Sequence, residues 1–236
     1  MSRPRVVLLH AFPLDCRMWA ETKEALEAAG WSVSAPDLPG PDAEPSLGAW
    51  ADRVLGATDG SLVPVGVSMG GYLAFELWRR ARERIAALAL VATRAAAESD
   101  EGRRGRDETI EVLEDVGVTA VWQRLEPRLF APEAPAEVVA RARELALEQG
   151  AARLAAATAA IRDRDDSTPL LRAIDVPVLV VVGEEDVIVS VRESEAMAGA
   201  LPNARLVRIT GAGHLPPLER PAELNAALLA FLEELE

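Results

Sequence analysis

The stretch Leu62–Gly71, LVPVGVSMGG, decides how the rest of the chain is read. An apolar, β-branched run ends in Gly66-Val67-Ser68-Met69-Gly70-Gly71, and the helix-forming segment YLAFELWRRARER follows directly. Strand, glycine-flanked serine, then helix is the arrangement of a nucleophile elbow. A serine held on so sharp a turn leaves little room for side chains two residues to either side. Gly66 and Gly70 supply that room, and the Ser68 hydroxyl and the next backbone N–H then face one pocket. The plainer alternative is a glycine-rich turn that only packs a helix on a sheet. A catalytic turn, unlike a packing turn, needs a base, an acid and an oxyanion hole elsewhere in the chain.

Working outward, Ile85–Ala92 (IAALALVA) reads as a buried strand after the elbow helix, and Arg5–Leu9 (RVVLL) and Trp31–Ala35 as strands before it. Trp19, Thr22, Leu26 and Ala29 recur at helical spacing and stop at Gly30. Ser46 caps a helix expected to run to Ala57, and Pro36, Pro39, Pro41 and Pro45 mark an extended loop before it. After Pro177 the rhythm returns: strand Val178–Val182, helix Ser190–Leu201, strand Arg205–Ile209, helix Leu218–Leu235. Such alternation predicts an α/β fold, a mainly parallel doubly wound sheet with helices on both faces.

The rhythm lapses between Thr93 and about Asp166, where EGRRGRDETIEVLEDVG, TAVWQRLEPRLF, AEVVARARELALEQG and ARLAAATAAIRD read as helices broken by Gly117, Pro127, Pro132, Pro135 and Gly150. Residues 94–166 are therefore expected to form a helical cap inserted between two core strands, with 1–93 and 167–236 as the core. The elbow, the His10-Ala11-Phe12-Pro13 loop and the later loops all fall at strand carboxyl ends, where open α/β sheets bind ligands.

A serine hydroxyl needs a neighbouring base, and the chain has only two histidines, His10 and His214. His214 follows the last strand in Gly211-Ala212-Gly213-His214, a loop able to reach a nucleophile at mid-sheet; His10 is read as a brace for its own loop. The imidazole needs an acceptor on its second nitrogen. VVVGEEDVIVS offers Glu184, Glu185 and Asp186, with Asp186 preferred because it lies deeper in the loop. The order Ser68, Asp186, His214 is that of α/β-hydrolases. The oxyanion calls for two N–H donors, assigned to Met69 and Phe12.

The chain resembles α/β-hydrolases of the small capped serine esterase and lactonase type and is similar to oxoadipate enol-lactonases. LLHAFPLDCRMW, PDLPG, GVSMGG, PVLVVVGEEDVIVS and ITGAGHLPPLERPAELNAALLAFL carry the resemblance across nearly the whole chain. It implies Ser68, Asp186 and His214 as catalytic triad and Phe12 and Met69 as oxyanion donors; no cofactor is expected. Ala11 stands where the family usually has Gly, Ser190 where it often has proline, and the sheet starts without the usual antiparallel hairpin. In the cap, Trp122, Leu125 and Leu129 share one apolar helix face, with Phe130 beside them, and are candidates for substrate contact as well as for packing. Arg94, just past a strand end, is placed to meet a substrate carboxylate or to form a salt bridge.

Composition narrows the partners. The 236 residues carry 38 Asp+Glu against 25 Lys+Arg, a net charge of −13, which disfavours nucleic acid and anionic membranes. Half of the residues are apolar, enough for a sizeable core. The single cysteine, Cys16, excludes an internal disulfide and points to the cytoplasm, and no motif surrounds it as a nucleophile. Lys23 is the only lysine and alanine abounds, as in GC-rich bacterial coding. With two histidines and one cysteine a transition-metal site is not expected, and the Asp163, Asp165, Asp166 cluster reads as a turn and helix cap. The expected function is hydrolysis of a small carboxylic ester or lactone through an acyl-enzyme. The alternatives are a perhydrolase or C–C bond hydrolase using the same triad, or a small-molecule sensor that retains it. Serine at position 68 argues against dehalogenase and epoxide hydrolase chemistry, and nothing in the pattern speaks to oligomeric state.

Overall fold

In the structure, a computed structural model, residues 3–37 and 44–235 are described; the expected proline-rich loop lies largely outside them. Continuous apolar runs become strands β1 (Arg5–Leu9), β2 (Val33–Ser34), β3 (Leu62–Val67), β4 (Leu88–Val91), β5 (Val178–Gly183) and β6 (Ala204–Ile209). All pair in parallel, in the order β2-β1-β3-β4-β5-β6, which puts β3 and its elbow near the middle. Pro64 has no N–H for a ladder, and pairing of β3 with β4 accordingly begins at Val65, with Leu62 bridging Ile85 on its far side.

Alternate strand residues feed two cores. Val7, Leu9, Leu88, Leu90, Val178 and Val180 face α2 (Leu47–Gly56), α3 (Met69–Ala81) and α8 (Val191–Ala200), and pack against Trp50, Leu73, Phe75 and Met197. Val6, Leu8, Val65, Val67, Leu179 and Val181 face the opposite way, toward α1 (Ala20–Ala28) and the chain's last helices, meeting Trp19, Leu26, Leu224 and Phe231. A buried side chain of this size contributes roughly 1.5–3 kcal/mol, so a sheet covered on both faces holds the strand ends firmly.

Between β4 and β5 lie α4 (Asp100–Asp115), α5 (Val118–Leu129), α6 (Ala136–Leu147) and α7 (Ala151–Arg162), a wholly helical insertion among the described residues. Its two crossings are stitched together: Ser167 N–H donates to Ala95 O at 2.8 Å, and Arg164 donates to Ala96 O and to Glu98 Oε2 at 2.7 Å. Arg164 also lies 4.3 Å over the Tyr72 ring. Asp163 pairs with Arg103 and Arg162, and Asp166 accepts from Thr168 N, so two of the three clustered acids serve as ion-pair partner and cap.

Several boundaries differ from expectation. Trp31–Ala35 contributes only Val33–Ser34 to the sheet, and Ile85–Ala92 shortens to Leu88–Val91. Pro127 lies inside α5; it forgoes one hydrogen bond, and the helix ends two residues later at Leu129. The expected single helix Leu218–Leu235 is two, α9 (Pro216–Glu219) and α10 (Pro221–Glu233), because Arg220 precedes Pro221 and is driven out of helical geometry, with φ −142° and ψ 59°. Among the described residues no helix is long and apolar enough to cross a membrane.

Candidate active site

At the end of β3 the chain reverses into α3 through Ser68, whose φ of 52° and ψ of −112° lie in the left-handed half of the backbone map. Such a conformation costs a non-glycine residue roughly 1–3 kcal/mol and persists only where its surroundings over-determine it. They do: Ser68 N–H donates to Val91 O at 2.9 Å, and Ser68 O accepts from Thr93 Oγ1 at 2.8 Å and Gly71 N–H at 2.9 Å. The flanking glycines are sterically required. A Cβ at Gly66 would stand 2.2 Å from Gly70 O, and one at Gly70 would stand 2.1 Å from Leu9 O.

His214 follows β6 and is buried, with 2% exposure. Its Nδ1 lies 2.8 Å from Asp186 Oδ2. The other oxygen of Asp186 accepts Ile188 N–H at 2.8 Å and Val189 N–H at 2.9 Å, so both oxygens are engaged. An ionised Asp186 puts the imidazole proton on Nδ1 and leaves the Nε2 lone pair free. Glu184 and Glu185 are exposed, and their N–H groups donate to Ile209 O and Ala212 O. His10 is buried below the first loop with Nδ1 3.2 Å from Ala11 O, and burial lowers its pKa to about 4, so it is neutral. Cys16 is pushed the other way, to about 11, by burial and by Asp37.

Two side chains brace these loops: Glu219, which the sequence reading did not single out, and Arg94, for which a salt bridge was one of two readings. Glu219, on α9, is buried and accepts Ala131 N–H at 2.7 Å, Gly213 N–H at 3.0 Å and Leu215 N–H at 3.0 Å. One carboxylate thus holds both neighbours of His214 and the segment following α5. Burial pushes its carboxyl above the usual range, against these N–H groups and His214, which pull it down. His214 N–H itself donates to Leu129 O at 3.0 Å, and Gly213 comes so near that a Cβ there would stand 2.5 Å from Ala131 N. Arg94 bonds Ile188 O and pairs with Glu193 at 3.2 Å, tying the end of β4 to the Asp186 loop, while its buried Nε has no partner among the described residues. Ser190 caps α8 in a reciprocal box with Glu193, a role that proline could not fill.

Ser68 and His214 open into one cavity of about 330 Å³, walled by the first loop and the helical insertion. Phe12, Arg94, Leu125 and Leu129 line it with them, as do Tyr72, Ile188, Glu98, Arg106 and Arg128. Trp122 and Phe130 do not: they are buried behind the wall, ring centroids 6.3 Å apart, and the Trp122 indole N–H bonds Glu126. Of the two readings open to them, packing and substrate contact, their burial and the engagement of the Trp122 indole within its own helix fit packing. Met69, the first residue of α3, and Phe12 have no acceptor for their backbone N–H groups among the described residues. Arg128 was not singled out from sequence; an arginine in an exposed helical turn carries no local signal.

Comparison with known proteins bears on the whole chain. The profile of the alpha/beta hydrolase family matches residues 6–227. The pimeloyl-acyl-carrier-protein methyl ester esterase of Aromatoleum aromaticum is 31% identical over 243 residues, spanning 94% of this chain and 96% of that protein. Among solved structures, a thermophilic esterase from Thermogutta terrifontis, with malate bound, superposes with a TM-score of 0.93 at 36% identity, over 100% of this chain and 91% of that one. The enol-lactonase from Burkholderia xenovorans LB400 gives 0.82 at 25% identity, over 99% and 92%. The parallel sheet, the serine turn at its centre and a family match running almost end to end agree: the chain belongs to the alpha/beta hydrolase family.

Proposed function

We propose that this protein is a serine-dependent carboxylic ester hydrolase acting on small esters or lactones. Ser68 Oγ attacks the carbonyl carbon while His214 Nε2 takes its proton, and Asp186 holds the imidazole and stabilises its charged form. The Phe12 and Met69 N–H groups receive the developing oxyanion; one such donor is worth about 3–4 kcal/mol in the transition state. The carbonyl–oxygen bond then breaks, His214 returns the proton to the departing alkoxide, and the acyl group stays on Ser68. Water, deprotonated by His214, attacks the acyl-enzyme, releases the acid and restores the serine. With a lactone the alkoxide remains tethered, but the steps are the same.

Residues 94–166 act as the cap in this reading, over a core of 1–93 and 167–236, and Leu125 and Leu129 contact the substrate. The methyl ester named for the Aromatoleum aromaticum relative supports a small leaving alcohol. The observation that carries the proposal is the buried Asp186–His214 pair at 2.8 Å opening onto the same cavity as the strained Ser68. Ser68→Ala is expected to lower kcat on a nitrophenyl ester by roughly 10⁵–10⁶-fold with the far-UV circular dichroism unchanged. Undiminished turnover in that variant would overturn the mechanism.

A further inference from the structure

The cavity beside Ser68 has the opposite charge to the molecule that contains it. The whole chain carries −13, yet Arg94, Arg106 and Arg128 line this cavity and Glu98 is the only acid among its lining residues. That acid is already over-subscribed: Glu98 Oε2 accepts from Arg106 Nε at 3.1 Å and from Arg164 Nη1 at 2.7 Å, and the two guanidinium groups hold its carboxyl below the usual range against the opposing effect of burial. Arg94 pairs with Glu193 at 3.2 Å on the far side of the acid loop. Four guanidinium groups therefore answer to two carboxylates. Arg106 commits its Nε–H to Glu98 and keeps its terminal N–H groups. Arg128 is exposed at the cavity with no hydrogen bond or ion pair among the described residues.

We infer that the substrate of this site carries a carboxylate in addition to the scissile ester, and that Arg128, with Arg106 on the same cavity wall, is the group that receives it. The inference deepens the ester hydrolase reading and rests on it. Arginine presents a planar fork that matches a carboxylate with two parallel hydrogen bonds. In a protein otherwise strongly negative, an unpaired arginine on a cavity wall is a local attractor for anions that the rest of the surface repels. A volume of about 330 Å³ is near the lower end for small-molecule sites, which suits a short half-ester of a dicarboxylic acid and excludes long acyl chains from lying wholly inside. The carboxylate could belong to the acyl half or to the alcohol half, since both have the chemistry the arginines recognise.

Three matched esters separate these cases: mono-4-nitrophenyl glutarate, with the charge on the acyl half; 4-nitrophenyl valerate, neutral and of the same acyl length; and 3-carboxy-4-nitrophenyl valerate, with the charge on the alcohol half and a nitrophenol leaving group retained. One charged ester is expected to exceed the neutral one in kcat/KM by about tenfold or more, and raised salt to shrink that ratio. Arg128→Gln is expected to lower the charged-to-neutral ratio by about tenfold, mainly through KM, and Arg128→Lys to restore part of it. Free glutarate should compete with the neutral ester in the native protein and do so more weakly in Arg128→Gln. Turnover of the neutral ester with no preference for either charged one, or a ratio unmoved by Arg128→Gln, overturns the inference and leaves the hydrolase reading standing. Failure to turn over any of the three, with Ser68→Ala indistinguishable from the native chain, overturns the hydrolase reading itself.

Discussion

Replacing Glu219 by Gln is the sharpest probe of how the base is held. The native carboxylate satisfies three buried N–H groups, those of Ala131, Gly213 and Leu215. An amide of the same shape keeps one acceptor oxygen and sets an NH₂ against at least one of those donors, and it removes the charge that strengthened the rest. Hydrogen bonds to charged groups are worth about 1.5–3 kcal/mol, and an orphaned buried donor costs about 1–3 kcal/mol. A loss of about 3 kcal/mol is therefore expected, which for a chain of this size lowers Tm by roughly 6–12 °C. Kinetics should fall as well, because Gly213 and Leu215 flank His214 and the nearby negative charge favours the imidazolium formed when Ser68 gives up its proton. Glu219→Gln is expected to reduce kcat on 4-nitrophenyl butyrate at least tenfold, beyond anything explained by the unfolded fraction. The two measurements are differential scanning fluorimetry and initial rates well below the lowered Tm. If Tm stays within one or two degrees and kcat within twofold, the carboxylate is not what holds His214.

Other consequences are open to direct measurement. Gly70→Ala would drive a methyl group into Leu9 O, 2.1 Å away, so the variant should lose roughly 3–5 kcal/mol in urea titration or fail to fold; an unchanged midpoint would contradict the elbow geometry. Burial lowers His10 to about 4, so stability present above the unfolded value near 6.5 drains away as pH falls toward 4, by as much as about 3 kcal/mol. His10→Gln should flatten that part of the pH profile, and identical slopes in the two proteins would clear His10 of the effect. With its thiol raised to about 11, Cys16 should react only slowly with iodoacetamide at pH 8, and rapid alkylation with loss of ester turnover would give it a role that the geometry does not.

What could be read from the sequence was what short-range physics writes there. Strands covered on both faces become unbroken apolar runs, and a turn that forbids Cβ atoms has to carry Gly66 and Gly70, so the α/β alternation and the elbow were both visible in advance. Ser68, His214 and Asp186 were nameable because each follows a strand; in the structure Ser68 and His214 line one cavity and Asp186 bonds His214 from behind it. What stayed open is of another kind. Trp122 carried two readings, packing and substrate contact, because an apolar stripe does not say which of its members faces inward. Glu219 looked like one more helical acid; its three partners come from two loops far apart along the chain. The break before Pro221 follows from a local rule that the smooth apolar periodicity of the last segment concealed. Arg94 and Arg128 carry the same guanidinium, and only the fold distinguishes one bound to Ile188 O and Glu193 from one with no partner among the described residues.

The stitching of the insertion has a consequence for how such a protein can change. The chain enters the insertion near Ala95 and leaves it at Ser167, with ten residues still to come before β5, and these two residues are joined by a hydrogen bond of 2.8 Å. A detour that departs and arrives at one spot imposes no distance on whatever is strung between. Helices in it can be lengthened, deleted or exchanged for another protein's, and β4 and β5 still meet at the same register. Inheritance can therefore act on the two halves separately, keeping the serine turn and its partners while trying out new walls above them. The joint tolerates such exchange while Ala95, Ala96 and Glu98 keep Arg164 or something of its reach, and those four positions are where a transplanted insertion should be matched first.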